Sequence, residues 1–221
     1  WSLAGGRPDG PRLEGGGQGR AGVFRAGGRR ILTGWVDGSQ LPSAAQLWDA
    51  ATGEKVARPM WHFDGLYHAE FSPDGRRILT CGEDNTARVW DAATGEPVTP
   101  PLRHRAYVYS AAFSPDGRLV ATASADGTAR VWETETGEAV TPPLEHEGRA
   151  GWVGWSPDGR EIATGWNQNA GRVFDVSPHP GRVERLRLQA ELLGSQRLHP
   201  VAGATPLSAG ELRDRWEALS R

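Results

Sequence analysis

Residues 104–133 read HRAYVYSAAFSPDGRLVATASADGTARVWE, and this stretch decides the fold because much of the chain repeats it. The turn Ser114-Pro115-Asp116-Gly117 recurs 42 residues before and 42 residues after its own position. The tryptophan near the end of the stretch belongs to a series with the same spacing: Trp48, Trp90, Trp132 and Phe174. Different residue types thus share one period over more than 100 residues, which is the signature of a repeat architecture.

One repeat contains four short segments with strand character. Val108 to Phe113 leads into the Ser-Pro-Asp-Gly turn, and Leu119 to Ser124 follows it. Asp126-Gly127 is a strong hairpin signal, and Thr128 to Trp132 alternates with period 2. Glu138 to Leu144 is expected to form the fourth strand. Four antiparallel strands in about 42 residues are what one β-propeller blade requires.

Several motifs of this repeat resemble one known family. His104, the Ser-Pro-Asp-Gly turn, Asp126 and Val131-Trp132-Glu133 together resemble the WD40 repeat, and Trp48-Asp49 and Trp90-Asp91 contain its naming dipeptide. The resemblance covers roughly residues 1–181. It implies an all-β fold: a WD40 β-propeller with an incomplete array of about four blades plus a leading strand. Because Trp1 aligns with Trp90, the array is expected to start in mid-blade.

The resemblance also implies a structural role for polar side chains inside each blade. In this family a histidine, a strand hydroxyl, a hairpin aspartate and the tryptophan form a buried hydrogen-bond chain. The matching residues are His62, Thr80, Asp84 and Trp90 in one blade, and His104, Thr122 or Ser124, Asp126 and Trp132 in the next. The last blade is expected to lack a complete chain, because Phe174 has no N–H to donate.

Residues 182–221 differ in character and are predicted to form a short C-terminal helical tail. Val183 to Leu193 follows helical spacing, and Ser208 and Glu211 form a capping-box pattern before a second helix. The tail resembles the C-terminus of WD40-bearing serine/threonine protein kinases of planctomycete-type bacteria. This resemblance implies that the chain is the sensor or docking part of a kinase-type protein.

Composition excludes several classes of function. A net charge of −2 gives no electrostatic footprint for nucleic acid, and no apolar run is long enough for a transmembrane helix. The single cysteine excludes an internal disulfide. Gly17 to Gly22 matches G-x-G-x-x-G, but no kinase motif accompanies it, so it is interpreted as a glycine-rich blade connection. One lysine against 24 arginines indicates a GC-rich, bacterial genome.

These observations favour a non-catalytic scaffold that binds a protein or a ligand on the propeller face, next to upstream blades of its parent chain. No catalytic residue, cofactor or metal site is predicted, and no compartment is assigned. Tyr67 and Tyr109 occupy equivalent positions after the blade histidines, where they either cap the blade edge or contact a partner. The alternatives are a free-standing scaffold without a kinase and, with less support, an enzyme whose active site lies in the propeller channel.

Overall fold

The structure, a computed structural model, describes residues 13, 18–24, 28–36, 43–146, 148–166, 169–177, 196–199 and 203–206. The chain divides into two compact units, residues 1–176 and 177–221. Within the described residues every regular element is a β-strand. The all-β prediction is therefore confirmed for this part of the chain.

The described residues of the first unit form four antiparallel sheets whose strands follow one another in the chain. The first sheet contains β1 (Gln18–Phe24), β2 (Arg30–Val36), β3 (Ser43–Asp49) and β4 (Met60–His62). The second contains β5 (Leu66–Phe71), β6 (Arg77–Gly82), β7 (Thr86–Asp91) and β8 (Leu102–Arg103). The third contains β9 (Val108–Phe113), β10 (Leu119–Ser124), β11 (Thr128–Glu133) and β12 (Leu144–Glu145). The fourth contains β13 (Trp152–Trp155), β14 (Glu161–Trp166) and β15 (Asn169–Asp175).

The Ser-Pro-Asp-Gly turns join the first and second strands of a sheet through side-chain hydrogen bonds. In the third sheet Ser114 Oγ donates to Asp116 Oδ1 at 2.6 Å and accepts the Leu119 N–H at 2.9 Å. Gly117 has a φ of 72°, which a residue without a Cβ adopts at little cost. The same turn recurs in the second and fourth sheets. These aspartates are therefore structural residues of the turns.

Neighbouring sheets pack face to face in chain order, which places the core between them. Leu79 and Val89 of the second sheet pack with Val108 and Val120 of the third in one buried cluster. Equivalent clusters join the first sheet to the second and the third to the fourth. The leading strands β5, β9 and β13 contact one another in sequence, so residues near their starts lie on one side of the array.

Two expectations about strands need correction. The fourth strand of the third sheet is not Glu138 to Leu144 but the two-residue β12, with one isolated bridge at Ala139. Pro142 and Pro143 precede β12 and have no N–H to donate to a strand ladder. The glycine-rich segment from Gly17 is also not merely a connection, because Gln18–Phe24 forms β1 and pairs with β2.

The second unit contains a β-hairpin that the sequence analysis did not predict. Strands β16 (Gln196–His199) and β17 (Gly203–Pro206) pair antiparallel. The two helices predicted for the tail, Val183 to Leu193 and the segment after Ser208, lie outside the described residues.

Candidate functional site

Two chains of buried polar side chains link neighbouring sheets. His104 follows β8 of the second sheet, and its Nδ1 lies 3.1 Å from Asp126 Oδ2 in the third sheet. Its Nε2 lies 2.7 Å from Thr122 Oγ1, which also accepts the Trp132 indole N–H at 2.9 Å. Each chain thus lies between two sheets rather than inside one.

The same arrangement occurs one repeat earlier. His62 Nδ1 lies 3.1 Å from Asp84 Oδ1, and His62 Nε2 lies 2.7 Å from Thr80 Oγ1. The Trp90 indole N–H donates to Thr80 Oγ1 at 2.8 Å. The geometry of both chains is therefore nearly identical.

The donor inventory fixes the polarity of these chains. An indole N–H can only donate and a carboxylate can only accept, so Trp132 donates to Thr122 and the Nδ1–H of His104 donates to Asp126. In a neutral imidazole the other nitrogen, Nε2, carries no hydrogen and therefore accepts the Thr122 hydroxyl. Burial lowers the pKa of His104, despite the attraction of Asp126, and so favours this neutral form.

The carboxylates of these chains are held in their charged form. Burial acts to raise the pKa of Asp126, but hydrogen bonds from the Thr128 hydroxyl and the Arg105 N–H, with the contribution of His104, lower it to about 2. Burial opposes the shift at Asp84 too, yet the His62, Thr86 and Phe63 hydrogen bonds hold its pKa well below the ordinary range. A carboxylate whose pKa is lowered on folding stabilises the folded state, and here each carboxylate does so at the contact between two sheets.

The hydroxyl that the sequence left open is now assigned. Thr122 occupies the chain, whereas Ser124 Oγ donates to the Ala106 carbonyl and accepts the Asp126 N–H, each at 3.1 Å. Between the third and fourth sheets, neither ring nitrogen of His146 nor the Thr164 hydroxyl has a hydrogen-bond partner within the described part of the chain.

A cluster of tyrosines stands apart from these structural chains. The ring centroids of Tyr67 and Tyr109 are 5.2 Å apart, and Tyr107 lies 6.4 Å from Tyr67. These are all three tyrosines of the chain. They lie at the starts of β5 and β9, and Tyr107 is 44% exposed. The structure therefore brings Tyr67 and Tyr109 together and adds Tyr107, which sequence reasoning missed although it lies two residues before Tyr109.

Charged groups border the tyrosine cluster on two sides. Burial, followed by a hydrogen bond to Glu83 and the charge of that carboxylate, raises the pKa of Tyr67 well above its ordinary value. Arg149 Nη1 lies 3.4 Å from the Tyr109 hydroxyl. Aromatic pairs at these separations are typical of packed ring contacts. The cluster thus offers aromatic faces and hydroxyls between one acidic and one basic side chain.

Groups suited to other chemistry are differently placed. Cys81 is fully buried, and burial raises the pKa of its thiol far above the ordinary value, so it is not a thiolate nucleophile. No three His, Cys, Asp or Glu side chains come together as a metal site among the residues that the structure describes. Over those same residues, no helix has the length and apolar character needed to cross a membrane.

Comparison with known proteins identifies the repeats. The sequence model for the WD domain, G-beta repeat family matches residues 54–91 and residues 95–133. Residues 54–133 contain two WD40 repeats. Among curated proteins no sequence matches the chain.

Solved structures with a similar fold include two computationally designed proteins. Ika4 superposes with a TM-score of 0.63 at 22% identity, over 74% of this chain and 95% of Ika4. Ika8 superposes with a TM-score of 0.62 at 21% identity, over 72% of this chain and 46% of Ika8. At this level of identity the likeness concerns the fold alone. Together with the repeats, it supports a propeller-like array that contains two WD40 repeats.

Proposed function

We propose that the protein is a non-catalytic scaffold that binds a partner protein through the tyrosine cluster of Tyr67, Tyr107 and Tyr109. WD40 repeats in general serve protein–protein interaction. The observation that carries the proposal is that all three tyrosines of the chain gather at the starts of two leading strands, with Tyr107 44% exposed. Tyrosine provides a large contact area with few rotatable bonds and is enriched in binding hot spots.

A site-specific photocrosslink tests this proposal. With p-benzoylphenylalanine in place of Tyr107, irradiation in an extract of the source cells should give a discrete protein adduct. The same photocrosslinker in place of Val140, an exposed residue of the third blade, is the control. Tyr67→Ala should lower the yield at position 107 by at least about tenfold, because a lost hot spot removes about 2 kcal/mol or more of binding energy. Equal adducts at both positions, or none at position 107, would contradict the proposed surface.

We also propose that the chain is the C-terminal sensor or docking part of a bacterial serine/threonine kinase-type multidomain protein. The support is the sequence of residues 190–219, which resembles the tails of such kinases. Reading the gene upstream of the Trp1 codon tests it, because a kinase domain there would encode H-R-D and D-F-G motifs. An upstream sequence without these motifs would favour the free-standing scaffold instead.

A further inference from the structure

An apolar groove lies between the first and second blades, and the described residues that line it include none of the three tyrosines. It has a volume of about 590 Å³ and is open to solvent. The first blade contributes Pro59, Trp61 and Phe63, and the second contributes Arg88 and Pro97. Its volume is in the range of sites that bind ligands or large side chains.

The repeats show that this groove is particular to one position. The residues on either side of the blade histidine are aromatic in Trp61-His62-Phe63, basic in Arg103-His104-Arg105 and acidic in Glu145-His146-Glu147. The histidine is constant because it joins two sheets, whereas its neighbours change character completely. The fold therefore does not require aromatic residues at positions 61 and 63.

The two aromatic side chains are exposed despite their size. Trp61 is 49% exposed and Phe63 is 83% exposed. The Arg88 guanidinium lies 5.6 Å from the Phe63 ring and 5.9 Å from the Trp90 ring, so it is held between two aromatic faces. A partner side chain that covers these rings would bury apolar area that now faces water.

The charged residues that line the groove, Arg58, Arg88 and Glu96, and Arg103 beside it indicate the charge of its partner. Arg103 pairs with Thr86 across β8 and β7, and Arg88 lies two residues along β7, so Arg103 and Arg88 share one face of the second sheet. Arg88 has Asp84 as a counter-ion, and Arg58 pairs with Glu96. Arg103 is exposed and makes no ion pair with a described residue. A carboxylate of the partner would complete this arrangement.

We propose that this groove binds an extended, acidic peptide segment of a partner protein. The peptide places a large apolar side chain against Trp61 and Phe63 and a carboxylate at Arg103. None of the described lining residues is a tyrosine, so a failure of this proposal would leave the function proposed above unaffected, and the reverse holds as well.

Titration of the ¹⁵N-labelled full chain with synthetic peptides tests the proposal. The probe is acetyl-Ser-Asp-Asp-Leu-Trp-Asp-Asp-Ser-amide, and the readout is the indole N–H signal of Trp61. We expect that signal to shift when the peptide is added. The affinity of the chain for the peptide should be at least tenfold weaker when Leu-Trp is replaced by Ala-Ala or when the aspartates are replaced by lysines. The backbone amide signals of Tyr67, Tyr107 and Tyr109 should not shift.

Two matched variants complete the test. The double change Trp61→Arg and Phe63→Arg installs residues that the next blade already has, so the fold should persist while peptide affinity falls at least tenfold. The single change Arg103→Glu should weaken binding of the acidic peptide tenfold and leave the circular dichroism spectrum of the chain unchanged. An unshifted Trp61 indole at about 1 mM peptide, or unchanged affinity in both variants, would overturn the proposal. A Trp61 shift caused by protein concentration alone would also overturn it, since the occupant would then be a second copy of the chain.

Discussion

Trp132 and Phe174 stand at equivalent positions of their blades and differ in one hydrogen-bond donor. The Trp132 indole completes a chain with Thr122, His104 and Asp126. At Phe174 no such donor exists. A buried polar group without a partner costs about 1–3 kcal/mol, so these individual residues determine how firmly adjacent blades are joined.

At this scale we expect Trp132→Phe to lower the free energy of unfolding by about 1–3 kcal/mol, because Thr122 loses its donor. Urea denaturation followed by circular dichroism measures the change. Trp152→Phe is the control, since Trp152 is exposed on β13 and should lose less than about 0.5 kcal/mol. Equal losses in the two variants would mean that the indole N–H contributes nothing.

The carboxylate of Asp126 predicts a pH dependence of stability. Its pKa is about 2 in the folded chain against an ordinary value of 3.8. A carboxylate with a depressed pKa stabilises the fold above its unfolded pKa, and this contribution is lost as pH falls through the folded pKa. Wild-type stability should therefore drop by about 2 kcal/mol more than that of Asp126→Asn between about pH 4 and pH 2. Glu138→Gln, at an exposed position, should follow the wild-type curve.

At the scale of the element, the fourth sheet keeps the pattern of the others with part of its polar chain missing. β14 and β15 pair Ile162 with Phe174, as β10 and β11 pair Val120 with Trp132. Thr164 is buried and, among described residues, its hydroxyl has no partner. The sheet thus retains an acceptor for a donor that its sequence does not supply.

Phe174→Trp should restore that donor and raise the free energy of unfolding by about 0.5–1.5 kcal/mol, the net value of one hydrogen bond. The double variant with Thr164→Val is the matched control, because it removes the acceptor while keeping the larger ring. If Phe174→Trp gives the same gain in both backgrounds, packing rather than the hydrogen bond is responsible.

At the scale of the molecule, each blade buries one face of the blade that precedes it in the chain. Val89 and Val131 are fully buried, whereas the equivalent Val173 of the fourth sheet is 64% exposed. Trp152 lies on the same face of that sheet, since it shares a face with Gly154, Ala163 and Val173 across the ladder. An apolar sheet face of this kind promotes association.

We therefore expect the chain to associate as its concentration rises. The double change Trp152→Lys and Val173→Lys should reduce this association, because it places two charges on the exposed face. Sedimentation velocity over a range of concentrations measures the effect. Val140→Lys, at an exposed site of the third blade, serves as control. A wild-type chain that remains monomeric throughout would contradict the prediction.

Several features follow from the sequence alone, since they depend on local chemistry. The 42-residue period and the Ser-Pro-Asp-Gly turns place β10 at Leu119–Ser124, as predicted from the residues. Turn residues and alternating strands act over a few neighbours, so a short window of sequence contains the information. The fourth strands were less predictable, because two-residue strands such as β12 depend on pairing with the rest of the sheet.

Only the tertiary structure decided which distant residues meet. Sequence equivalence related Tyr67 to Tyr109, but their 5.2 Å separation and the addition of Tyr107 arise from the packing of β5 beside β9. The groove of Trp61, Phe63 and Arg88 likewise needs two blades to form its walls. The repeat period predicts which residue types each blade contains. The contacts between blades are set by how the sheets stack, because the residues concerned are distant in the chain and become neighbours only when apolar faces are buried.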